Sequence, residues 1–201
     1  MKTHVISERL KVTPAAVSDM LKKLSEKKFI SYKPYQGVLL TKTGTAYGRT
    51  MVRRHRILEM YLHQKLGFQW DEVHKEAEQL EHAASEKLIN KMDEDLGFPK
   101  FDPHGDPIPD MNGKMPVSKD LVFLSEAKAG RIYEVVRVSD FDGDFLHFLD
   151  DMGLKLHTKI EVNERRSFDQ SLLVDVNNVQ QTISFYATRH IRVREVKKNE
   201  K

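Results

Sequence analysis

The sequence predicts an α+β multidomain chain: a winged helix-turn-helix, an all-helical module and a small β-barrel. Three observations lead there. Charge is divided unevenly along the 201 residues, with net +10 over 1–56, −8 over 57–110 and +1 over 111–201. Hydrophobic periodicity changes in step, from helices plus a hairpin, to helices alone, to short alternating strands. Finally, 201 residues suits two or three modest domains better than one. We place them at 1–48, 49–110 and 120–196, with 111–119 as linker. No apolar run approaches the roughly 20 residues that span a bilayer, so no membrane association is expected. The first twenty residues carry no signal-type apolar block. There are no cysteines, which removes disulfides, thiolate zinc sites and cysteine nucleophiles and suits a cytoplasmic protein.

In the basic block, Val5, Ile6 and Leu10 lie at helical spacing. Thr13-Pro14 then reads as an N-cap and first-turn proline. A second helix follows to about Lys27, with Val17, Met20, Leu21 and Leu24 as its buried stripe. Two short helices joined by a turn of about four residues is helix-turn-helix spacing. Thr13, Pro14, Ala15, Ala16, Ser18, Asp19, Lys22 and Lys23 fall on the outward face. Small residues allow close approach to the major groove, and the polar groups can meet base edges and phosphates. Phe29–Lys33 and Val38–Thr41 read as strands around the turn at Pro34-Tyr35-Gln36-Gly37, a wing carrying Lys33. Another helix opens at Thr43-Gly44 and carries Arg49, Arg53, Arg54 and Arg56. Double-stranded DNA is the expected partner.

The acidic block sets metal-type ligands at helical spacing. His55 and Glu59 are i, i+4 on a helix that Gly67 ends. Asp71 is placed to cap a next helix, 71–92, bearing His74, Glu78, Glu81 and His82. At 3.6 residues per turn these four fall within about 100° of arc. Imidazole and carboxylate together suit Mn²⁺, Fe²⁺, Co²⁺ and Zn²⁺. Repulsion among Glu59, Glu78 and Glu81 would oppose a compact arrangement until a cation relieves it. Ala77, Leu80, Ala84 and Leu88 are candidates for a dimer seam. A carboxylate/histidine metalloenzyme is the alternative of another class, although Glu-x-x-His pairs and His-Glu-x-x-His are both absent. A metal-independent DNA-binding regulator is a third.

Beyond the linker, strands are expected at Ile132–Val138, Lys159–Val162, Leu172–Val176, Thr182–Phe185 and His190–Val196, with a helix at Phe145–Asp151. Asp140, Asp142 and Asp144 read as a solvated acidic loop, and His147 and His157 as structural or surface groups.

Several stretches together resemble the diphtheria-toxin-repressor-like (DtxR/MntR/IdeR) metal-dependent repressors, over nearly the whole chain. They are Ser7-Glu8-Arg9-Leu10, Thr13 to Met20, Leu39 to Gly44, Arg54-His55-Arg56 with Glu59, His74 to His82, and Asp102-Pro103-His104-Gly105-Asp106-Pro107-Ile108-Pro109. Leu149 to Leu154 followed by Ile160-Glu161-Val162 resembles the SH3-like FeoA-type domain of such repressors. The resemblance implies a homodimeric repressor of manganese or iron homeostasis, bound to an inverted-repeat operator when metal is present. It implies one metal site at His55, Glu59 and His74 and a second at Glu78, Glu81 and His82. Iron-sensing relatives carry cysteine where this chain has Glu78, so the glutamate favours Mn²⁺, with Fe²⁺ possible and Zn²⁺ or Co²⁺ able to substitute. It also implies a further helix ahead of the position matching Met1 that supplies a second-site ligand, with His4 a candidate replacement. Some relatives draw a ligand for the first site from the region of Asp140, Asp142 and Asp144.

Overall fold

The computed structural model describes residues 3–33, 37–140 and 142–196, with backbone alone for Thr3 and Lys33. The turn at 34–36, the Lys33 side chain and residues 197–201 lie outside the described residues. Helix α1 (Thr3–Leu10) leads into α2 (Pro14–Glu26). The Thr13 hydroxyl accepts the Ala16 N–H at 3.2 Å, and Pro14 occupies the first turn. Val17 and Leu21 pack with Ile30, while Leu24 is half-buried. Met20, expected in that stripe, is 47% exposed. It lies 60° from Val17 on the side away from Leu21, so the core ends before reaching it. Strands β1 (Ile30–Lys33) and β2 (Gly37–Leu40) form the antiparallel wing, Ile30 opposite Leu40.

Thr41 caps α3 (Lys42–Leu66), accepting the Gly44 N–H at 3.0 Å, so this helix runs unbroken through residue 48. It ends where Gly67 turns left-handed at φ 75°, a conformation glycine adopts without steric cost. The 71–92 segment is two helices, α4 (Val73–Leu80) and α5 (Glu86–Asp95). Arg54 draws the Glu81 and Ala84 carbonyls into hydrogen bonds, both at 2.9 Å. Ser85 then caps α5 through the Leu88 N–H. Asp71 does not cap α4; its carboxylate sits 3.0 Å from His147 Nε2. Ile57, Leu58, Leu62, Val73, Ala77, Ile89 and Ile108 form the core of this module. Ala77 therefore faces inward rather than toward a seam, while Leu80 and Leu88 are exposed.

The C-terminal part is an antiparallel sheet. Its strands are β3 (Leu121–Phe123), β4 (Arg131–Val138), β5 (Lys159–Arg165), β6 (Leu172–Val176), β7 (Val179–Ile183) and β8 (Ile191–Glu195). They are ordered β3-β8-β4-β5-β6-β7. Helix α6 (Gly143–Asp151) follows β4, and α7 (Phe185–Thr188) is capped by Ser184, which ends the strand before Phe185. Register shifts at Val135/Arg137 and Val162/Glu164 bend the sheet around its core.

Several contacts join this sheet to the helical module, two of them through Trp70 and the turn at 102–106. Trp70, between α3 and α4, buries its ring in the sheet core and donates from Nε1 to Asp150 at 2.8 Å. The turn Asp102–Asp106 lies against β4, where Val138 N–H donates to the His104 carbonyl at 2.9 Å.

Candidate metal centre

Helix α3 delivers His55 and Glu59 one turn apart, and α4 brings His74 beside them. His55 Nε2 lies 2.9 Å from Glu59 Oε1 and 3.2 Å from His74 Nδ1, with His74 Nδ1 at 3.1 Å from the same Glu59 oxygen. Glu59 is fully buried. Isolated ionised carboxylates are expensive to bury, so this one requires positive partners. Burial raises its pKa, but hydrogen bonds from His55 and His74 outweigh that and bring it to about 2. Burial likewise opposes charge on His55, yet Glu59 and then Glu81 hold its pKa at about 9. The Glu59 hydrogen bond raises His74 too, against its partial burial.

The Asp140 carboxylate, two residues past the end of β4, approaches His74 Nδ1 at 3.6 Å. Asp140 is therefore not part of a merely solvated loop. Asp142 and Asp144 behave differently: Asp142 caps α6 through the Asp144 N–H.

His104 is a participant that helical spacing could not reveal. It is fully buried, and its Nε2 meets the Trp70 carbonyl at 2.7 Å. Its Nδ1 and Glu59 Oε2 are buried with no hydrogen-bond partner among the described residues. Ligand atoms of Glu59, His104 and Asp140 lie within 4.8 Å of one another, as do those of His55, Glu59 and His74. Glu59 thus belongs to both groups. Such orphaned donor atoms beside imidazoles and carboxylates fit a divalent cation. The available signal was the singular Asp102-Pro103-His104-Gly105 turn. In it Asp102 Oδ1 accepts the N–H groups of His104 and Asp106, both at 2.9 Å, fixing the loop. Burial, then the charges of Glu59 and Asp106, push the Asp102 pKa up to about 8.

The second expected group is only partly assembled. Glu81 is half-buried, 3.3 Å from exposed His82, but its other oxygen faces His55 Nδ1 at 2.9 Å. Glu78 is exposed on α4 and joins no gathered group among the described residues. Glu81 still follows the helical course of α4, with right-handed backbone angles and its N–H bonded to the Ala77 carbonyl, but its carboxylate is engaged by His55 rather than gathered with Glu78. His4 lies exposed on α1, in neither group.

On the basic module, Thr13, Pro14, Ala15, Ala16, Asp19, Lys22 and Lys23 are exposed and Ser18 half-buried. Asp19 and Lys23 pair at 2.8 Å, and the Ser18 hydroxyl donates to the Pro14 carbonyl. The α3 arginines mostly turn inward. Arg53 meets Asp93 at 2.6 Å in a buried pair, Arg54 binds the 81–84 turn, and Arg56 holds Asp106 and the Pro107 carbonyl. Three of the thirteen basic side chains of residues 1–56 are therefore engaged inside the molecule.

Three families match in succession: the iron-dependent repressor N-terminal DNA-binding domain over residues 1–38, its metal binding and dimerisation domain over 41–110, and the FeoA domain over 122–195. A helix-turn-helix transcriptional regulator of Methanocaldococcus jannaschii is 30% identical over 92 residues, 46% of this chain and 74% of that one. The iron-dependent repressor IdeR of Mycobacterium bovis is 32% identical over 137 residues, 65% of this chain and 60% of that protein. Among solved structures, a manganese-dependent transcriptional repressor in complex with manganese is 35% identical, with TM-score 0.89, covering 97% of this chain and 91% of that one. The repressor ScaR with bound Cd²⁺ is 31% identical, with TM-score 0.84, covering 98% and 92%. These matches leave no place for the metalloenzyme alternative. Placed beside the His55, Glu59 and His74 cluster and the exposed face of α2, they settle the assignment: the chain belongs to the DtxR-like iron-dependent repressor family, whose members are metal-dependent, DNA-binding transcriptional repressors and not enzymes.

Proposed function

We propose that this chain is a homodimeric, cytoplasmic repressor that binds an inverted-repeat operator when Mn²⁺ fills the centre around Glu59. The observation that carries the reading is one buried carboxylate, Glu59, faced by imidazoles from three parts of the chain: His55 on α3, His74 on α4 and His104 on the turn before the sheet. His55, Glu59 and His74 would hold the ion, with Asp140 and His104 available from the C-terminal side. Glu81 and His82, with Glu78 after a side-chain shift, would form a second group. The ion supplies positive charge that tolerates many oxygen ligands, and these residues supply the geometry. The donor set has four carboxylates and no thiolate, which favours Mn²⁺ over softer cations, with Fe²⁺ next. Zn²⁺ and Co²⁺ would substitute at the imidazoles.

The exposed first turns of α2 would read base edges, and Lys22, Lys23 and Lys33 would meet phosphate. Metal shifts the DNA-competent population only through its differential affinity for that state. No helix among the described residues is long and apolar enough to cross a membrane, and nothing in the proposed role calls for one.

Fluorescence anisotropy with a palindromic promoter fragment tests the reading. Mn²⁺ should strengthen sequence-specific binding, and a chelator should reverse it. Equal binding with and without metal would overturn metal control, and no binding at all would overturn the regulator.

A further inference from the structure

Glu81 sits at a position that a metal ligand alone does not explain. Its Oε2 meets His55 Nδ1 at 2.9 Å, while the opposite ring nitrogen, Nε2, faces Glu59 and His74. A neutral imidazole carries one N–H. For Nε2 to offer its lone pair to a cation among Glu59 and His74, the hydrogen must stand on Nδ1 and needs an acceptor there. Glu81 is that acceptor. The placement is enforced by the neighbouring residue on α3: Arg54 holds the Glu81 and Ala84 carbonyls, both at 2.9 Å. Two consecutive side chains, Arg54 and His55, thus grip the same turn, one by its backbone and one by its carboxylate.

We infer that Glu81 is a positioning residue for His55: it fixes the ring's tautomer and orientation, so that cation affinity at the His55, Glu59 and His74 cluster depends on the α4–α5 turn. The inference rests on the metal-centre reading above. Its physical consequence is coupling between the two groups. Glu81 Oε1 lies beside His82 and Oε2 beside His55, so a cation drawing Glu81 toward His82 alters the support under His55. Filling either group therefore changes the affinity of the other, and by linkage the effect is reciprocal.

The test removes the second group first, so that only the His55 cluster is read. In a Glu78→Ala/His82→Ala background of the full chain, Mn²⁺ affinity is measured by calorimetry, and Co²⁺ ligation by its visible absorption. Against that background, Glu81→Ala should weaken cluster affinity by about 10- to 100-fold, the usual cost of losing a ligand's hydrogen-bonded support. Glu81→Gln retains an acceptor oxygen and should recover most of the loss and the Co²⁺ band shape. Glu86→Ala removes the same charge from the start of α5, where Glu86 is exposed, and should leave affinity within about twofold of the background, since surface charges act weakly through solvent.

Unchanged affinity in Glu81→Ala would overturn the inference. So would a Glu81→Gln variant as weak as Glu81→Ala, because charge rather than positioning would then be at work. Absence of Mn²⁺ or Co²⁺ binding in both the wild-type chain and the background would instead overturn the metal-centre reading itself.

Discussion

His104 Nε2 lies 2.7 Å from the carbonyl oxygen of Trp70, which joins the buried centre to the only tryptophan in the chain. Trp70 also stacks on the His104 ring, with centroids 6.1 Å apart, and bonds Asp150 on the far side. Any cation drawn to His104 Nδ1 is therefore one ring away from the indole. Mn²⁺ titration should change Trp70 fluorescence emission, and Glu59→Gln should abolish the change, because Glu59 belongs to both groups. Emission that ignores Mn²⁺ while calorimetry registers binding would show that His104 stays outside the filled centre.

A cation entering the proposed centre would have to displace a proton from His55. Its pKa is raised from 6.5 to about 9 by Glu59 and Glu81 against the effect of burial. The stability this contributes to the metal-free chain is fully present below 6.5 and lost as pH rises through about 9. Glu59 runs the other way: its pKa is lowered from 4.5 to about 2, so its contribution is present above 4.5 and lost as pH falls through about 2. His74, whose pKa the Glu59 hydrogen bond also raises, shares in the balance. Metal affinity should therefore climb from pH 6.5 to 9, with proton release that calorimetry in buffers of different ionisation enthalpy can count. A flat profile across that range would refute the competition.

Gly105 has φ 86°, and a β-carbon there would overlap the Val136 carbonyl. Gly105→Ala combines a strained backbone with a clash that must push the 102–106 turn off β4. We expect a loss of about 2 kcal/mol or more, read by thermal unfolding, together with weaker Mn²⁺ binding as His104 and Asp140 move apart.

Two basic substitutions should separate by function. Lys22 is exposed on α2; Lys22→Ala should leave thermal stability unchanged, weaken DNA binding and lower the salt-dependence slope by about 1. Arg53→Ala leaves Asp93 buried without its 2.6 Å partner; it should cost about 3–5 kcal/mol of stability and leave the salt slope of the folded fraction unchanged. If Arg53→Ala lowers that slope instead, the residue reaches DNA despite its burial.

Those two residues also show how much the sequence could reveal. A local rule sufficed where one element decided the outcome. Thr13-Pro14 fixed the start of α2, His55 and Glu59 faced the same way because they are one turn apart, and Gly67 ended α3. Burial direction across elements was another matter. The arginines on α3 counted toward a basic segment because nothing nearby shows that Asp93, Asp106 and the 81–84 carbonyls fold onto Arg53, Arg56 and Arg54. The same blindness hid the break after Leu80, which has no Gly or Pro to mark it and depends on Arg54 from another helix. Ser85 was the one local clue, an N-cap in the middle of an expected helix. His104 and Asp140 meet Glu59 only through the tertiary fold, which no periodicity records.

Helix α3 begins under the wing, where Tyr47 stacks on Phe29 with ring centroids 4.8 Å apart, and carries Glu59 on the same rod. At about 1.5 Å per residue the two positions are ~18 Å apart along the axis. A continuous helix of this kind acts as a lever. A tilt of roughly 5° set at Glu59 would displace the wing end by ~1.6 Å over that length. In a symmetric pair both arms swing, so the separation of the two reading heads would change by roughly twice that amount, about 3 Å, nearly one base-pair rise along duplex DNA. Small rearrangements among a few buried side chains thus become a ruler setting, matched or mismatched to the spacing of two half-sites.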